Sequence, residues 1–192
     1  AKLAIGLECH PLVADAHVAD LLLLQHGEEM HAVRRADVTP VANESLDPSR
    51  RLFRVDWTPS AQSCIAAGAA GRALVDAALN RGALGAAAQC LGLAQRMIDI
   101  SVAYTRDRKQ FGQAIGTFQA VQHLMANVAV KLEYAKATVH RAAYDVANDT
   151  ARAAVSVSHA KIATSEAALL AARNGIQVHG AMGYTWEVDL HI

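Results

Sequence analysis

The side chains best suited to binding a ligand lie within Tyr104–His123, YTRDRKQFGQAIGTFQAVQH, between two long alanine-rich segments. Arg108 carries the forked hydrogen-bond donors of a guanidinium. Phe111 adds an aromatic ring, and Gln119 adds an amide that both donates and accepts hydrogen bonds. These residue types surround a tight turn in the sequence, and together they indicate ligand binding.

The same stretch marks the end of one helix and the start of another. Gly112 and Gly116 interrupt the helical pattern within one short loop, so we expect the first helix to end near Arg108. A second helix is expected after Gly116, with Thr117 as its N-cap. Cations suit the negative carbonyl end of a helix, which explains Arg106 but not the clustering of the other polar side chains.

A second candidate segment is QVHGAMGY, from Gln177 to Tyr184. Gly180 and Gly183 follow a predicted helix, and glycine allows backbone amides to come close to a ligand. An ordinary glycine C-cap is the alternative interpretation of this segment.

Both segments carry motifs that resemble the signature of the acyl-CoA dehydrogenase family. The first motif is RKQFG at 108–112 with Ile115 and FQAV at 118–121, and the second is QVHGAMGY at 177–184. The resemblance covers residues 61–192 well and residues 12–57 loosely. It implies FAD as the cofactor, an acyl-CoA thioester as the substrate and a protein that accepts the electrons.

The resemblance assigns roles to three residues of the first motif. The arginine that matches Arg108 reaches the pyrophosphate of FAD bound mainly by a neighbouring subunit, and a guanidinium suits a diphosphate because it binds two oxygens at once. Phe111 is implied to pack near the adenosine half of FAD, where Gln119 forms a hydrogen bond. The alternatives are a surface arginine at a helix end for Arg108, a core plug at the turn for Phe111 and an exposed polar helix start for Gln119.

The resemblance also assigns Gln177, Gly180 and Ala181 to cofactor binding. The family usually has two adjacent glycines where this chain has Gly180 and Ala181, so a methyl group lies where the backbone is expected to approach FAD. His179 stands at a position that is usually apolar in the family.

No catalytic residue is predicted within this chain. Family members remove the α-proton of the acyl-CoA with a glutamate, while hydride leaves the β-carbon for the flavin. The usual glutamate lies beyond residue 192, and its alternative position on the first bundle helix falls on Gly82. The neighbouring family arginine falls on Ala83. Glu187 and Asp189 are expected to cap the next helix.

Composition excludes several classes of partner. With Lys+Arg 18, Asp+Glu 18 and a formal net charge of +0, the chain lacks the basic excess of a nucleic-acid-binding protein. No apolar run reaches the ~18 residues of a membrane span, and no signal peptide is recognisable, so we expect a cytoplasmic protein. Neither the histidines nor Cys9, Cys64 and Cys90 show metal-ligand spacing, so no metal site is predicted and the thiols are expected to be buried.

The elements that position these residues change in character near residue 60. Residues 1–58 are predicted to form part of an antiparallel β-domain, a remnant of the family's middle domain. Its predicted strands are Leu21–Leu24, Met30–Val33, Val38–Val41 and Leu52–Trp57, and residues 46–51 resemble a family loop. Residues 59–192 are predicted to form an up-and-down helical bundle of the acyl-CoA dehydrogenase type, which contacts FAD and oligomerises. The predicted fold class is α+β, mainly α.

Three long helices are predicted in the bundle. The first has an apolar stripe at Leu84, Ala87, Ala88, Leu91, Ala94, Ile98 and Val102. The second has one at Val121, Leu124, Met125, Val128, Leu132, Ala135, Val139 and Val146, and the third runs from about residue 150 to about residue 177. The family has a fourth long helix, expected to begin where the chain stops, and a preceding helical domain that is missing here. The uncovered apolar face predicts a dimer or tetramer of like or unlike subunits.

Three functions are compatible with these patterns. The first is an FAD-dependent acyl-CoA dehydrogenase seen as an incomplete chain. The second is a catalytically silent FAD-binding subunit with a base-bearing partner, an arrangement found among bacterial family members that include steroid-degrading ones. The third is a helical interaction module without a cofactor, against which the FAD motifs argue. A glutamate a few turns past residue 192 would favour the first.

Overall fold

The structure, a computed structural model, describes residues 1–45, 47 and 49–190. Leu46 and Pro48, in the loop predicted at residues 46–51, lie outside the described residues. The chain divides into two compact units, Ala1–Leu79 and Asn80–Ile192. The predicted boundary between residues 58 and 59 precedes the final strand of the first unit, and the assignment of domains stays a prediction.

The first unit contains two small sheets. Their strands are β1 (Leu3–Gly6), β2 (Val13–Ala14), β3 (Leu21–His26), β4 (Glu29–Arg34), β5 (Thr39–Asn43), β6 (Leu52–Asp56) and β7 (Cys64–Ala66). One sheet has the order β1-β3-β4-β7 and the other β2-β6-β5. All pairs are antiparallel except β1 with β3, which is parallel. The four predicted strands are confirmed, whereas β1, β2 and β7 are short and carried no recognisable strand pattern.

A small hydrophobic core holds the first unit together, and its side chains alternate with exposed ones along the strands. Leu22 and Leu24 of β3 point into a core that they share with Val13, Val33 and Val38. A two-residue turn joins β3 to β4, and its first residue, Gly27, has a φ of 55°, which glycine adopts without steric cost. Alternate side chains of β3 are therefore buried, as the pleat of a strand requires, although its run of leucines shows no alternation in the sequence.

The second unit is helical. Its elements are the main part of α1 (Gly68–Asp107), a hairpin of β8 (Lys109–Gln110) and β9 (Gln113–Ala114), α2 (Gln119–Ala147) and α3 (Ala153–His179). A 3-10 turn at Ile115–Thr117 precedes α2 and another at Gly180–Tyr184 follows α3. The three predicted helices are confirmed, as is the α+β, mainly α fold class. The hairpin β8–β9 was not predicted.

Helix α1 begins earlier than its apolar stripe suggested. Residues 58–78 were expected to be a transition, yet β7 and the first turns of α1 lie there. The reason is that small residues pack this part of the helix closely: a Cβ at Gly71 would overlap the carbonyl oxygen of Glu28. Small side chains give no apolar periodicity, so the pattern failed to show the helix.

Small side chains also fill the centre of the bundle. Ala87, Ala142 and Ala160 are fully buried with Val139 and Val157 around them. A second cluster consists of Ala94, Val128, Leu132 and Ala171. The alanines permit close approach of the helix backbones. Ala88, which we predicted on the buried stripe of α1, is exposed, because a helix turns by about 100° per residue and Ala88 lies beyond the contact with α2 and α3.

Two further details of the prediction were wrong. Thr117 is not the N-cap of α2: the N-cap is Phe118, with no side-chain capping bond. The hydroxyl of Thr117 instead donates to the carbonyl oxygen of Ala114, 2.7 Å away, because residues 115–117 form a 3-10 turn. The thiols are not buried either, since Cys9 is exposed and Cys64 and Cys90 are half-buried.

A buried carboxylate fastens the connection between α2 and α3. Asp145 is fully buried, and Arg141 binds both of its oxygens, with nitrogen–oxygen distances of 2.8 and 2.9 Å. Thr150 and Ser156 donate hydroxyl hydrogen bonds to the same carboxylate. These donors lower the pKa of Asp145 from 3.8 to about 2, Arg141 contributing most, against the opposing effect of burial.

Helix α3 exposes an apolar stripe. Val155, Ile162 and Leu169 are spaced seven residues apart and are 54%, 59% and 52% exposed. Seven residues are close to two helical turns, so the three side chains lie on one face. None of the described helices is long and apolar enough to cross a membrane.

Candidate cofactor-binding site

Arg108 lies directly after α1 and begins the hairpin. Its amide donates to the carbonyl oxygen of Tyr104, 2.9 Å away, which completes the last turn of the helix, and its carbonyl oxygen accepts from the amide of Ile115, also at 2.9 Å. The backbone of Arg108 is thus held on both sides while its side chain is exposed. Among the described residues, no carboxylate forms a salt bridge with it. The backbone that carries the guanidinium is therefore fixed, and within the described part of the chain the guanidinium has no salt-bridge partner.

Phe111 is the tip of the hairpin. Gln110 pairs with Gln113, so Phe111 and Gly112 form a two-residue turn, with φ values of 54° and 82°. Positive φ at both central positions matches the turn type that suits a tight hairpin, but a bulky side chain is uncommon there. The side chain of Phe111 is 91% exposed. The alternative of a core plug is thereby excluded, and strained backbone conformations of this kind are concentrated at binding sites.

Gln119 is placed next to the hairpin by a ring contact. Phe118 immediately precedes it and lies edge-to-face with Phe111, with ring centroids 6.2 Å apart. Gln119 is the first residue of α2, and its side chain is exposed. The 3-10 turn before α2 lies very close to the end of α1: a Cβ at Gly116 would lie 2.9 Å from the carbonyl oxygen of Thr105. Arg108, Phe111 and Gln119 are therefore brought together by the hairpin and the turn that follows it.

The Gln177 segment closes α3. Gln177 is exposed, and Gly180 ends the helix with φ 60° and ψ −134°, a conformation essentially restricted to glycine. Ala181 follows in a 3-10 turn, has no positive φ and is exposed. Gly180 is thus the residue whose backbone conformation requires glycine. The 3-10 turn accommodates Ala181 at the position where the family usually has a second glycine.

A side-chain stack joins the two segments. The rings of Tyr104 and His179 are nearly parallel, with centroids 4.1 Å apart. Nδ1 of His179 lies 2.8 Å from the carbonyl oxygen of Gly175, to which it donates, and the ring is buried. Tyr104 precedes Arg108 by one helical turn, so the stack ties the end of α1 to the end of α3. Neither residue was predicted to act here, although the unusual histidine was a visible signal.

The positions that the resemblance implied for a catalytic base supply none. Gly82 and Ala83, the positions implied for a base and its neighbouring arginine, lie within α1 and carry no ionisable group. Glu187 and Asp189 are exposed in the turns after α3. The cluster therefore offers an uncompensated cation, an exposed ring and two exposed amides, which fit an extended dinucleotide with a diphosphate at its centre.

Comparisons with known proteins identify a family that the chain resembles. The family model described as "Acyl-CoA dehydrogenase, C-terminal domain" matches residues 69–191. Acyl-CoA dehydrogenase IpdE2 of Mycobacterium tuberculosis is 33% identical over 180 residues, which are 94% of this chain and 51% of that protein.

Two solved structures show the same fold. Glutaryl-coenzyme A dehydrogenase in complex with glutaryl-CoA matches with a TM-score of 0.82 and 25% identity, over 99% of this chain and 54% of that chain. The ChsE4-ChsE5 complex from Mycobacterium tuberculosis matches with a TM-score of 0.77 and 24% identity, over 98% of this chain and 54% of that chain. The chain thus spans about half the length of the relatives it matches. Because the family model covers most of the chain and includes both candidate binding segments, this chain belongs to the acyl-CoA dehydrogenase family.

Proposed function

We propose that this chain is the FAD-contacting helical part of an acyl-CoA dehydrogenase, which catalyses the α,β-dehydrogenation of an acyl-CoA thioester. The observation that carries this proposal is the pair formed by Arg108 and Phe111. An exposed guanidinium without a carboxylate partner stands three residues from a 91% exposed aromatic ring at a strained turn. Phe111 contacts Phe118 at its edge and leaves most of its ring exposed, so the combination suits a ligand.

The residues of this site fit FAD. Arg108 would bind two oxygens of the pyrophosphate, and Phe111 would stack near the adenosine. Gln119 and Gln177 would form hydrogen bonds to the cofactor, and the backbone at Gly180 and Ala181 would approach it closely. The flavin, when bound, accepts the hydride that leaves the β-carbon of the substrate. The residues of this chain bind and orient the cofactor and take no part in proton transfer.

An assembly follows from this role. In the family, the arginine matching Arg108 serves FAD bound mainly by a neighbouring subunit, so the site requires a second subunit. The stripe of Val155, Ile162 and Leu169 offers an apolar surface for such contacts. We propose a dimer or tetramer, of like or unlike subunits, that passes electrons to an electron-transfer protein.

A second candidate function is a silent FAD-binding subunit of a hetero-oligomeric dehydrogenase. Two observations favour it: Gly82 and Ala83 cannot transfer protons, and a protein of the same fold was solved as a complex of two differently named subunits. In such an assembly, the partner would supply the base and this chain would supply Arg108. The two candidates share the cofactor site and differ only in where the base lies.

Flavin retention tests the shared cofactor site. Arg108→Ala should weaken FAD binding roughly tenfold to hundredfold, because a charged hydrogen bond worth about 1.5–3 kcal/mol is lost. Arg106→Ala is the matched control, since this exposed arginine also lies at the end of α1 and is expected to leave the flavin in place. The measurement is flavin absorbance per protein in the assembly purified from its native host. Equal flavin content in Arg108→Ala and wild type would refute the assignment.

A further inference from the structure

Three side chains with metal-ligand atoms meet on one face of the β1-β3-β4-β7 sheet. Glu29 and His31 lie two residues apart on β4 and therefore point to the same side. Cys64 of β7 is paired directly with His31 in the antiparallel register, so its side chain shares that face. Glu29 Oε2 lies 3.0 Å from His31 Nε2. The carboxylate oxygen, ring nitrogen and thiol sulfur all lie within 4.8 Å of one another.

The pairing of β4 with β7 is irregular beside the histidine. Met30 pairs with Ala66 and His31 with Cys64, so Ile65 of β7 is an extra residue at this point, whereas β4 keeps a continuous register with β3. Bulges of this kind are common next to functional sites. His31 is only 1% exposed, so a buried imidazole lies beside a thiol and a half-exposed carboxylate.

Both ring nitrogens of His31 have hydrogen-bond partners. Nδ1 lies 3.0 Å from Oγ of Ser63, and Nε2 lies 3.0 Å from the carboxylate of Glu29. In one of the two tautomers Nδ1–H donates to Oγ of Ser63, whose own hydroxyl donates to the carbonyl oxygen of Ser60 at 3.0 Å. That tautomer leaves the Nε2 lone pair directed at the carboxylate of Glu29, which is the arrangement that a bound cation needs.

We propose that Glu29, His31 and Cys64 bind a divalent transition-metal ion, with Zn²⁺ as the expected occupant. Thiolate, imidazole and carboxylate are all zinc ligands, whereas Mg²⁺ and Ca²⁺ prefer oxygen ligands alone. With the metal on Nε2, the Nδ1–H of His31 would donate to Oγ of Ser63, which is the kind of hydrogen bond that orients histidine ligands in metal sites. The proposal departs from the sequence prediction that the chain has no metal site.

Binding requires the ligand atoms to move by roughly an ångström. Zinc bonds of about 2.0–2.3 Å place tetrahedral ligand atoms roughly 3.3–3.8 Å apart, so atoms at the 4.8 Å limit would approach each other and the Glu29–His31 pair, at 3.0 Å, would separate slightly. The thiol of Cys64, which donates to the carbonyl oxygen of Ala66 at 3.5 Å, releases its proton to solvent when it binds the metal. The fourth position opens to a cavity lined by His26, Pro59, Ser60 and Ala61, where water or His26 completes the coordination.

Cobalt titration tests the proposal through the sulfur ligand. The chain is prepared without a histidine tag, stripped of metal and carries Cys9→Ser and Cys90→Ser, which leave Cys64 as the single thiol. Co²⁺ should produce a thiolate-to-cobalt charge-transfer band that saturates at about one equivalent and disappears when Zn²⁺ displaces it. Zn²⁺ should also raise the Tm, because it binds the folded state.

Substitutions at the cluster give the contrast. Cys64→Ser should abolish the band and the Zn²⁺-dependent rise in Tm. Glu29→Gln, at a half-exposed position that tolerates change, should weaken Co²⁺ binding at least about tenfold, and Ser63→Ala should weaken it roughly 10–100-fold. Absence of the band in the parent chain, or a band that survives Cys64→Ser, overturns the proposal and leaves a hydrogen-bonded cluster only. The test does not involve FAD, so its outcome is independent of the proposed function.

Discussion

At the scale of single residues, the helical unit treats its charges in two opposite ways. Asp145 is fully buried, and each of its carboxylate oxygens accepts two hydrogen bonds. Arg108 is exposed, and no carboxylate among the described residues compensates it. A buried carboxylate is compatible with a stable fold when all of its oxygens are hydrogen-bonded. Removing those partners would leave a buried charge uncompensated, which is costly. An exposed cation on a rigid backbone costs the fold little and is available to a ligand.

The pH dependence of stability should reveal Asp145. Its pKa falls from 3.8 to about 2 in the folded state, so its contribution to stability is present above about pH 4 and is lost as the pH falls toward 2. Asp145→Asn should lower the Tm by several degrees at pH 7, because the amide cannot accept all the bonds that the carboxylate accepts. Its difference from wild type should shrink between pH 4 and pH 2.

The control for Asp145 is Asp149→Asn. Asp149 is exposed nearby and has a φ of 46°, a conformation that asparagine adopts readily, so the Tm should stay nearly unchanged. Thermal unfolding followed by circular dichroism across this pH range measures both variants. A difference between Asp145→Asn and wild type that stays constant down to pH 2 would show that the carboxylate's charge is not what stabilises the connection.

At the scale of elements, the cofactor site depends on how closely the turn before α2 approaches the end of α1. Gly116 permits that approach, because a Cβ there would lie 2.9 Å from the carbonyl oxygen of Thr105. The Tyr104–His179 stack performs the same task between α1 and α3. Both contacts lie behind the exposed binding groups. We therefore regard them as the supports that hold Arg108 and the Gln177 segment in position.

Two glycine substitutions distinguish the effect of losing this close approach from the general effect of replacing glycine by alanine in a helix. Gly116→Ala should lower the Tm and loosen FAD, since the turn must move away from α1. Gly85→Ala lies inside α1 with no atom within 4 Å of the added Cβ, and it should stabilise the fold by about 0.5–1 kcal/mol, or roughly 1–4 °C in Tm. Thermal unfolding and flavin content measure both changes. If Gly116→Ala raised the Tm as Gly85→Ala does, the close approach would have no structural role.

At the scale of the whole molecule, assembly is the first consequence of the proposed role. The chain should form dimers or tetramers, by itself or with its partner, through apolar surface that includes the α3 stripe. Ile162→Lys should shift the assembly toward monomers, because a charge would be buried in an apolar contact. Ala154→Lys, also exposed on α3 but outside the stripe, is the control. Light scattering at micromolar concentration distinguishes the states, and a wild-type chain that stays monomeric with its partner present would contradict the prediction.

Turnover is the second consequence at this scale. The 192-residue chain alone should not oxidise acyl-CoA, because Gly82 and Ala83 carry no proton-transferring group and an α-proton leaves slowly without a positioned base. A base-bearing partner, or a longer chain that supplies a glutamate, should restore activity. The measurement is acyl-CoA-dependent reduction of an electron-acceptor dye, with substrates from short chains to steroid side chains. Ordinary turnover by the chain alone that is lost in Glu187→Gln would identify Glu187 as the base and show that the implied position at Gly82 is wrong.

Local pattern in the sequence was sufficient for several features. Apolar residues at helical spacing predicted α2 and α3, short apolar or alternating runs predicted β3 to β5, and alternation predicted β6, because such patterns reflect which side of an element is buried. The two motifs indicate the family, and the positions of Arg108 and Gln177 in those motifs need no tertiary information. The start of α1 was missed because small residues carry no apolar period.

The features that join distant residues depend on tertiary structure. Tyr104 and His179 stack across 75 positions of sequence, Asp145 accepts hydrogen bonds from both sides of a helix connection, and Glu29 and His31 meet Cys64 across a bulged strand pair. The sequence pattern does not reveal these partners, even where a residue such as His179 is unusual, because register and packing between elements set them. The exposure of Phe111 likewise depends on the hairpin. The tight turn imposes a positive φ on this residue, a conformation that phenylalanine rarely adopts.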